Sequence, residues 1–243
     1  MIFGTRPLIE AYAAGKEIEK VMLLKGGRSE QMAEIVRLAR DHQTPVQYVP
    51  TEKLNRLTRK NHQGVVAFVS PVIFQSVEQL VPMLYEAGKD PFIIILDRVT
   101  DVRNFGAIVR TAESAGAHAL LLPTRGAAQL NADAVKTSAG ALNRIAICRS
   151  DKLKQSLDFL KKSGLSIVAV SEKAQTEVWD ADLKGPLALL LGSEEDGISP
   201  AYLDYADKHL SIPMQGETAS LNVSVAAGIA FFEVVRQRNR MKG

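Results

Sequence analysis

The sequence has little of what secreted proteins use for stability and export. Its 243 residues include a single cysteine, Cys148, so no disulfide can form within the chain. The first residues, Met-Ile-Phe-Gly, do not show a basic segment followed by an apolar one, which is the pattern of a secretory signal. We therefore expect a reducing, cytoplasmic location.

Long apolar runs are also missing. The longest runs, such as residues 92–96 and 187–191, are far shorter than the roughly 20 residues that a membrane-spanning helix needs. Hydrophobic residues make up 46% and charged residues 23% of the chain, which is typical of globular proteins. We therefore expect neither a membrane protein nor a disordered, collagen or coiled-coil chain.

Several motifs that identify common enzyme classes are absent. The sequence has no G-x-G-x-x-G or G-x-x-x-x-G-K-[ST] phosphate-binding loop and no G-x-S-x-G nucleophile elbow. Its four histidines and one cysteine show no metal-binding spacing. Dinucleotide-dependent oxidoreductases, P-loop hydrolases and α/β-type serine hydrolases are therefore disfavoured, and we expect no metal.

The charge is nearly balanced, with 30 basic and 27 acidic residues and a formal net charge of +3, so the total says little about partners. Its distribution says more. No acidic residue occurs between positions 53 and 77, a stretch that contains Lys53, Arg56, Arg59, Lys60 and His62. A second basic cluster near the C-terminus comprises Arg236, Arg238, Arg240 and Lys242. Each cluster is a candidate phosphate-binding patch, although a solvated helix face or a basic tail explains them equally well.

Short apolar runs alternate with segments of helical periodicity, which is typical of repeated βα units. The first third predicts strands at 21–24, 46–49 and 65–69 and a helix at 29–40. The remainder predicts strands at 92–96, 119–122, 145–147, 167–170, 187–191 and 209–212, with helices at 106–115, 151–163, 200–205 and 221–236. Because several of these strands lack polar alternation, we expect a parallel sheet that is covered on both faces.

A pause in this alternation indicates two domains. Residues 71–91 begin and end with proline and contain a short amphipathic helix followed by a Gly-Lys-Asp turn. We therefore expect a small α/β domain over residues 1–75, a linker over 76–90 and a larger α/β domain over 91–243.

Three loops in the second predicted domain are rich in glycine and polar residues and interrupt the alternation of strands and helices. Ligands in such folds bind beyond the carboxyl ends of the strands. In the first loop and the helix after it, residues 97–113, Asp101 and Asn104 are candidate helix caps. Arg110 follows Asn104 by about a turn and a half of helix. It is a candidate functional residue unless it pairs with Glu113 or Asp101.

The other two loops differ in character. The second, residues 192–200, contains two glycines that permit a close approach of the backbone to a ligand. Its three consecutive acids are unsuited to phosphate and tolerate a cation, unless the loop is only a solvated turn. The third, residues 212–224, places Ser220 and Asn222 where the last helix begins, among small residues that allow close packing.

Together these loops resemble the three signature motifs of the SpoU/TrmH family of RNA 2′-O-ribose methyltransferases, within the SPOUT superfamily. The resemblance covers most of residues 93–233. It rests on three strings in the family's order: Asn104-x-Gly106-x-x-x-Arg110-Thr111-Ala112, Leu191-Gly192-Ser193-Glu194-x-x-Gly197-Ile198, and Ile212-Pro213-Met214 with Ser220-Leu221-Asn222-Val223-Ser224. Val102 departs from the proline that is usual in the family, but it removes no chemical group.

The resemblance implies an enzyme that uses S-adenosylmethionine. It implies a parallel sheet with a C-terminal trefoil knot and a homodimer formed through the knotted region and the last helix. The family's cofactor-binding positions correspond to Leu191, Gly192, Glu194, Ile212, Met214, Ser220, Leu221 and Asn222. Its catalytic positions correspond to Asn104, Arg110, Glu194, Ser220 and Asn222. Because arginine stays charged at neutral pH, we expect Arg110 to stabilise negative charge rather than to act as a base.

The first domain extends the resemblance. Ile2-Phe3-Gly4, Glu10-Ala11 and His62-Gln63-Gly64-Val65-Val66-Ala67 resemble the substrate-binding extension of the branch that methylates a guanosine of 23S ribosomal RNA. That extension is similar in fold to ribosomal proteins. We expect RNA contacts at Lys53, Arg56, Arg59 and Lys60, on a helix of this domain, and at His62. Alternatives are methylation of a transfer-RNA guanosine, resistance methylation of ribosomal RNA, or a non-catalytic RNA-binding or assembly factor.

Overall fold

The computed structural model describes residues 1–240. The chain divides into two compact units, Met1–Ile73 and Phe74–Gly243. The fold class expected from the sequence is confirmed, because strands and helices alternate in both units and the larger unit is built on a parallel sheet.

Unit 1 is a four-stranded sheet with helices on both faces. Its elements are β1 (Ile2–Phe3), α1 (Thr5–Ala13), β2 (Ile18–Leu24), α2 (Glu30–Asp41), β3 (Val46–Val49), α3 (Thr51–Leu57) and β4 (Val65–Val69). The strand order is β1-β4-β2-β3, with β4 antiparallel to both of its neighbours. Alternate residues of β2 serve the two faces: Val21 packs with α1 and α2, whereas Met22 packs with Leu54 of α3.

Unit 2 is an eight-stranded sheet. Its elements are β5 (Phe74–Gln75), α4 (Val77–Glu86), β6 (Phe92–Leu96), α5 (Val102–Ser114), β7 (Ala119–Pro123), α6 (Ala132–Thr137), a 3-10 turn (Ala141–Asn143), β8 (Ala146–Ser150), α7 (Leu153–Lys162), β9 (Ser166–Val170), β10 (Thr176–Glu177), β11 (Leu187–Leu191), α8 (Pro200–Leu203), β12 (Lys208–Ser211) and α9 (Val223–Asn239). The strand order is β10-β12-β9-β11-β6-β7-β8-β5, and every neighbouring pair is parallel.

The apolar runs of β6 and β11 reflect burial on both faces of this sheet. All five residues of each strand are buried. Ile93 and Ile95 of β6 face the core that α4 and α7 cover. Phe92 packs edge-on against Phe231 of α9 on the opposite face, with the ring centroids 6.2 Å apart. A strand covered in this way has no solvent-facing position for a polar residue.

The structure differs from the sequence-based expectation at residues 76–90. The predicted linker forms α4, and Val77, Val81 and Leu84 of that helix belong to the main core of unit 2. The predicted basic helix of unit 1 is also shorter than expected. α3 ends at Leu57, so Arg59 and Lys60 lie in the turn after it.

The C-terminal basic cluster is partly engaged in local structure. Arg236 forms an ion pair with Glu233 at 2.7 Å. Arg238 donates to the carbonyl oxygen of Gly185 at 2.8 Å, and Lys242 lies outside the described residues. These contacts favour a structural role for this end of α9. No helix within residues 1–240 combines the length and apolar character needed to cross a bilayer.

Replacing Gly106 by alanine is expected to destabilise unit 2. A Cβ on Gly106 would lie 2.8 Å from the carbonyl carbon of Thr137 and closer still to its side chain. Thr137 is held in place because its hydroxyl donates to backbone oxygens, including that of Asp133 at 2.9 Å. We expect a loss of about 1–3 kcal/mol in the free energy of unfolding, measured by urea denaturation.

Gly228→Ala is the matched control, because it is also a helical glycine. Its Cβ would lie 3.7 Å from its nearest neighbour, the Thr111 methyl group, which is ordinary contact. This variant should be neutral or more stable by about 1 kcal/mol, the usual helix preference for alanine over glycine. Equal stabilities of the two variants would contradict the predicted clash.

Candidate functional site

The three loops singled out in the sequence meet at one edge of the unit 2 sheet. β12, β9, β11 and β6 are consecutive neighbours and run in the same direction. Their carboxyl ends therefore lie side by side, and so do the loops that follow them. The segment after β9, which begins at Ser171, is a fourth member of this set that the sequence analysis missed.

A single side chain, that of Asn222, connects all three predicted motifs. Its Oδ1 caps α9 by accepting from the backbone N–H of Ser224 at 2.9 Å and from the Ser224 hydroxyl at 2.6 Å. Its Nδ2 donates to Asn104 Oδ1 at 3.1 Å and to a carboxylate oxygen of Glu194. Because the cap fixes the amide oxygen, the amide nitrogen is turned toward Asn104 and Glu194. We call this arrangement the Asn222 bridge.

A cavity of about 470 Å³ lies beside the Asn222 bridge. Of the eight predicted cofactor-binding residues, seven line it: Leu191, Gly192, Glu194, Ile212, Met214, Ser220 and Leu221. The exception, Asn222, forms the bridge. The lining that the sequence analysis missed includes Val170, Ser171, Glu172 and Lys173. The lining thus combines apolar side chains with an excess of carboxylates over cations, which suits a ligand that has apolar parts and a positive charge.

Gly192 forms the tightest part of this wall. The loop after β11 folds back on itself, with reciprocal hydrogen bonds of 3.1 Å between the backbones of Ser193 and Gly197. A Cβ on Gly192 would lie within van der Waals radii of the Gly197 and Ile198 backbones. Glycine is therefore required here by the close approach of the chain.

Arg98 holds the same loop from the other side, and no sequence motif indicated this role. It has a positive φ of 59° and donates to Asp196 at 2.7 Å and to the Gly197 carbonyl oxygen at 3.1 Å. It also donates to Asp97 at 3.2 Å, and this hydrogen bond raises the pKa of the Arg98 guanidinium above its ordinary value. Asp97 is only 1% exposed and also accepts from the backbone N–H of Ser199 at 2.6 Å.

Arg98→Ala is therefore expected to loosen the loop of residues 193–197. The substitution removes the contacts to Asp196 and Gly197 and leaves the buried Asp97 carboxylate without its cation. Loss of such charged hydrogen bonds costs about 1–3 kcal/mol. Amide hydrogen exchange at Ser193, Asp196 and Gly197 should accelerate by about tenfold to a hundredfold.

Arg125→Ala, which changes an exposed arginine outside this network, is the control for Arg98→Ala. Exchange at the three amides should be unaltered in that variant. Unchanged exchange in Arg98→Ala as well would show that Arg98 does not hold the loop.

A second cavity, of about 420 Å³, shares residues 193–196 with the first. Asn104 and Asp101 line it. Asp101 is the N-cap of α5, as predicted, since its carboxylate accepts from the backbone N–H groups of Arg103 and Asn104. The Asn222 bridge therefore joins residues from the walls of two adjoining cavities, an arrangement suited to a reaction between two ligands.

The structure does not connect Arg110 to the Asn222 bridge. Arg110 is exposed on α5, and its guanidinium makes no hydrogen bond or ion pair within residues 1–240. The two structural partners considered from the sequence are engaged elsewhere: Glu113 pairs with Arg144 at 2.9 Å, and Asp101 caps the helix. Arg110 is therefore free to act on a ligand.

The predicted RNA-binding residues of unit 1 fall into two groups. Lys53 and Arg56 are exposed on α3, and Arg59 and Lys60 are exposed after it. His62 differs, because its Nε2 lies 2.9 Å from Asn55 Oδ1 and its Nδ1 accepts from the backbone N–H of Gly64 at 3.0 Å. Both ring nitrogens are used inside the unit, so the structure does not support His62 as a free donor to RNA.

The described part of the chain offers neither a metal site nor a reactive thiol. Residues 1–240 contain no group of three or more His, Cys, Asp or Glu side chains placed to hold a metal ion. Cys148 is buried, and burial raises the pKa of its thiol to about 12. The thiol therefore stays protonated and unreactive at neutral pH.

Comparison with known proteins agrees with this geometry. Residues 91–232 match the SpoU rRNA Methylase family. Residues 1–75 match a family described as RNA 2′-O ribose methyltransferase substrate binding. The chain is similar to a putative TrmH family tRNA/rRNA methyltransferase, YacO, of Bacillus subtilis, with 33% identity over 98% of this chain and 96% of that protein.

Two solved structures extend the comparison. The SpoU methyltransferase AviRb from Streptomyces viridochromogenes, in complex with the cofactor AdoMet, matches with 27% identity and a TM-score of 0.62, over 100% of this chain and 90% of that one. The TrmH/SpoU tRNA modifying enzyme of A. aeolicus matches with 32% identity and a TM-score of 0.58, over 68% of this chain and 85% of that one. With its motifs joined at one site and both of its units matched, the chain belongs to the SpoU rRNA Methylase family of RNA methyltransferases.

Proposed function

We propose that this protein transfers a methyl group from S-adenosylmethionine to the 2′-hydroxyl of a guanosine ribose in 23S ribosomal RNA. The observation that carries the proposal is the Asn222 bridge, which joins Asn104 and Glu194 beside two adjoining cavities. The match of residues 1–75 to a substrate-binding family supports an RNA substrate.

The residues of the first cavity fit S-adenosylmethionine. Leu191, Ile212, Met214 and Leu221 provide apolar walls, and Glu194 provides negative charge for a sulfonium. Gly192 lets the chain pack closely against Gly197 and Ile198 and so shapes the cavity wall, and the Ser220 hydroxyl offers a hydrogen bond. When bound, S-adenosylmethionine supplies an electrophilic methyl group. AviRb, which has the same fold over the whole of this chain, was crystallised with that cofactor.

The chain's own task is to position the ribose and to manage its proton. A guanidinium is charged at neutral pH, and that of Arg110 has no partner among the described residues, so we assign it to the RNA phosphate next to the target and to the developing alkoxide. Asn104 lines the second cavity and orients the ribose there, and Asn222 holds Asn104 in position. The hydroxyl proton passes to the phosphate or to water, since a guanidinium accepts none.

We infer that the working unit is a homodimer with a trefoil knot in unit 2, as the family resemblance implies. Residues of α9 support the interface. Val225 and Phe232 are each 50% exposed, and because they are two helical turns apart they lie on the same side of α9, where a second copy of the chain would cover them. A cytoplasmic location stays a prediction that accords with an RNA substrate.

Mapping ribose methylation in cellular ribosomal and transfer RNA, with and without this protein, tests the proposal. Loss of one methylated guanosine in 23S ribosomal RNA and its return on complementation are the expected results. Loss of a transfer-RNA modification would favour the alternative substrate, which the tRNA/rRNA description of the B. subtilis relative leaves open. A purified protein that does not bind S-adenosylmethionine would favour a non-catalytic RNA-binding factor.

A further inference from the structure

Unit 1 contains a polar cavity that neither the sequence motifs nor the family matches assign. It has a volume of about 470 Å³ and lies where β1 turns directly into α1. Gly4 makes this corner with a φ of 93°, a conformation that favours glycine. The lining consists of Phe3, Gly4, Thr5, Arg6, Pro7, Gln31, Asn61 and Gln63.

The side-chain amides in this lining have defined orientations. Gln63 Oε1 accepts from the backbone N–H of Thr5 at 3.2 Å. Asn61 Oδ1 accepts from the backbone N–H of Gln63 at 3.2 Å. The Thr5 hydroxyl lies 2.6 Å from Gln31 Oε1 and 3.1 Å from Gln63 Oε1, and it donates its proton to the nearer oxygen, that of Gln31. Since each amide oxygen is used in this way, the three NH₂ groups are left as donors for a ligand.

The charges around the cavity also favour a ligand that carries hydrogen-bond acceptors. Arg6 is its charged side chain, and no carboxylate is among the described residues that line it. The ammonium group of Lys60 lies 5.3 Å from the centre of the Phe3 ring, which adds positive charge beside the cavity. The NH₂ groups and the cations around the cavity therefore complement a group that has only acceptors.

We propose that this cavity binds a phosphodiester group of the RNA substrate. The inference rests on the proposed function and extends it by naming a second contact point in unit 1. A phosphodiester carries acceptors only, whereas nucleobases also carry N–H donors that this lining has no carboxylate to accept. Arg, Asn and Gln side chains are common phosphate ligands in nucleic-acid complexes.

The test replaces Gln31 and Gln63, singly and together, with glutamate. Glutamate has nearly the shape of glutamine, and one of its oxygens still accepts from Thr5, so thermal stability should hardly change. The free NH₂ donor becomes an anionic oxygen facing the phosphate. Affinity for purified 23S ribosomal RNA should fall by about tenfold or more in each single variant.

Gln47→Glu, on the exposed part of β3, controls for the added negative charge and should bind RNA nearly as well as the unaltered protein. If Gln31→Glu and Gln63→Glu bind RNA no more weakly than Gln47→Glu, the cavity is not an RNA site. Methyl transfer by the unaltered protein is measured in the same series. Failure of that transfer would count against the proposed function, whereas normal transfer with equal binding by all variants would overturn only this inference.

Arg6→Ala separates a phosphate ligand from a base. The logarithm of the binding constant falls linearly with the logarithm of salt concentration, with a slope of about 0.7 to 0.9 for each phosphate that is neutralised. Arg6→Ala should therefore reduce the slope by about that amount, whereas Lys16→Ala, just beyond the other end of α1, should leave it unchanged. Weaker binding with an unaltered slope would show that the cavity holds a base and would overturn the phosphate assignment.

Discussion

Arg110→Ala is expected to abolish methyl transfer and to leave cofactor binding intact. Removal of one preorganised group that stabilises charge in a transition state costs about a hundredfold to a thousandfold in kcat, and Arg110 also holds the substrate in our proposal. The Kd for S-adenosylmethionine should stay within about twofold, because Arg110 is not part of the cavity lining. Single-turnover transfer from labelled cofactor to 23S ribosomal RNA and calorimetric cofactor titration measure the two quantities.

Two variants on the same helix sharpen this experiment. Arg103→Ala removes another exposed arginine from the first turn of α5 and should retain transfer. Arg110→Lys keeps a positive charge but loses the planar pair of donors, so its rate should lie between those of Arg110→Ala and the unaltered protein. Substantial turnover by Arg110→Ala would remove this residue from the catalytic machinery.

The sequence predicted the strands of unit 2 well because burial on both faces requires continuous apolar runs. β6 and β11 begin and end where expected, at Phe92–Leu96 and Leu187–Leu191. The two-residue strands β5 and β10 were not predicted. Two residues carry no periodicity, and their pairing is decided by neighbours that are distant in sequence. The short helix α4 was predicted, but it was assigned to a linker, because its sequence does not indicate that α7 packs against it in the core of unit 2.

The site shows a similar division between local and distant information. The spacing of the motifs identified Asn104, Glu194 and Asn222. No local pattern, however, indicates that the Asn222 amide donates to both of the other side chains. Ser171 was missed because the order of strands, which brings the end of β9 beside that of β11, is not written in any one segment. Arg98 was missed for a further reason, since its function depends on a positive φ that sequence periodicity does not reveal.

The His62-Gln63-Gly64 motif of unit 1 was identified from the sequence, but its physical role became clear only from the structure. The string at positions 62–64 indicated the family branch, and the structure gives each residue in it a local function. His62 fixes the turn through both ring nitrogens, and Gln63 receives the backbone N–H of Thr5. Gly64 has a φ of 76°, and a Cβ there would lie 2.5 Å from the Met32 methyl group. The motif therefore supports the polar cavity structurally. It is compatible with an RNA-binding domain although neither ring nitrogen of His62 is free to contact RNA.

Gly192→Ala is expected to eliminate cofactor binding by a purely steric route. The added Cβ would overlap the backbone of Gly197 and Ile198, and a backbone cannot rotate away as a side chain can. The loop that lines both cavities must then move, and Glu194 moves with it. We expect the Kd for S-adenosylmethionine to rise by about a hundredfold or more, equivalent to about 3 kcal/mol, in calorimetric titration. RNA binding through unit 1 should be retained, since that unit is distant in sequence and has its own core.

Gly216→Ala tests whether this effect arises from close approach rather than from the loss of a loop glycine. Gly216 lies in the neighbouring loop after β12, where a Cβ would meet nothing within 4 Å. Neither Gly192 nor Gly216 has a positive φ, so alanine is compatible with the backbone conformation at both positions and only the available space differs. Gly216→Ala should therefore bind S-adenosylmethionine within about twofold of the unaltered protein. If both variants lose binding, mobility of the loops matters more than the close packing at Gly192. If both retain binding, the loop of residues 193–197 can move to accommodate the added methyl group despite its hydrogen bonds and its contacts with Arg98.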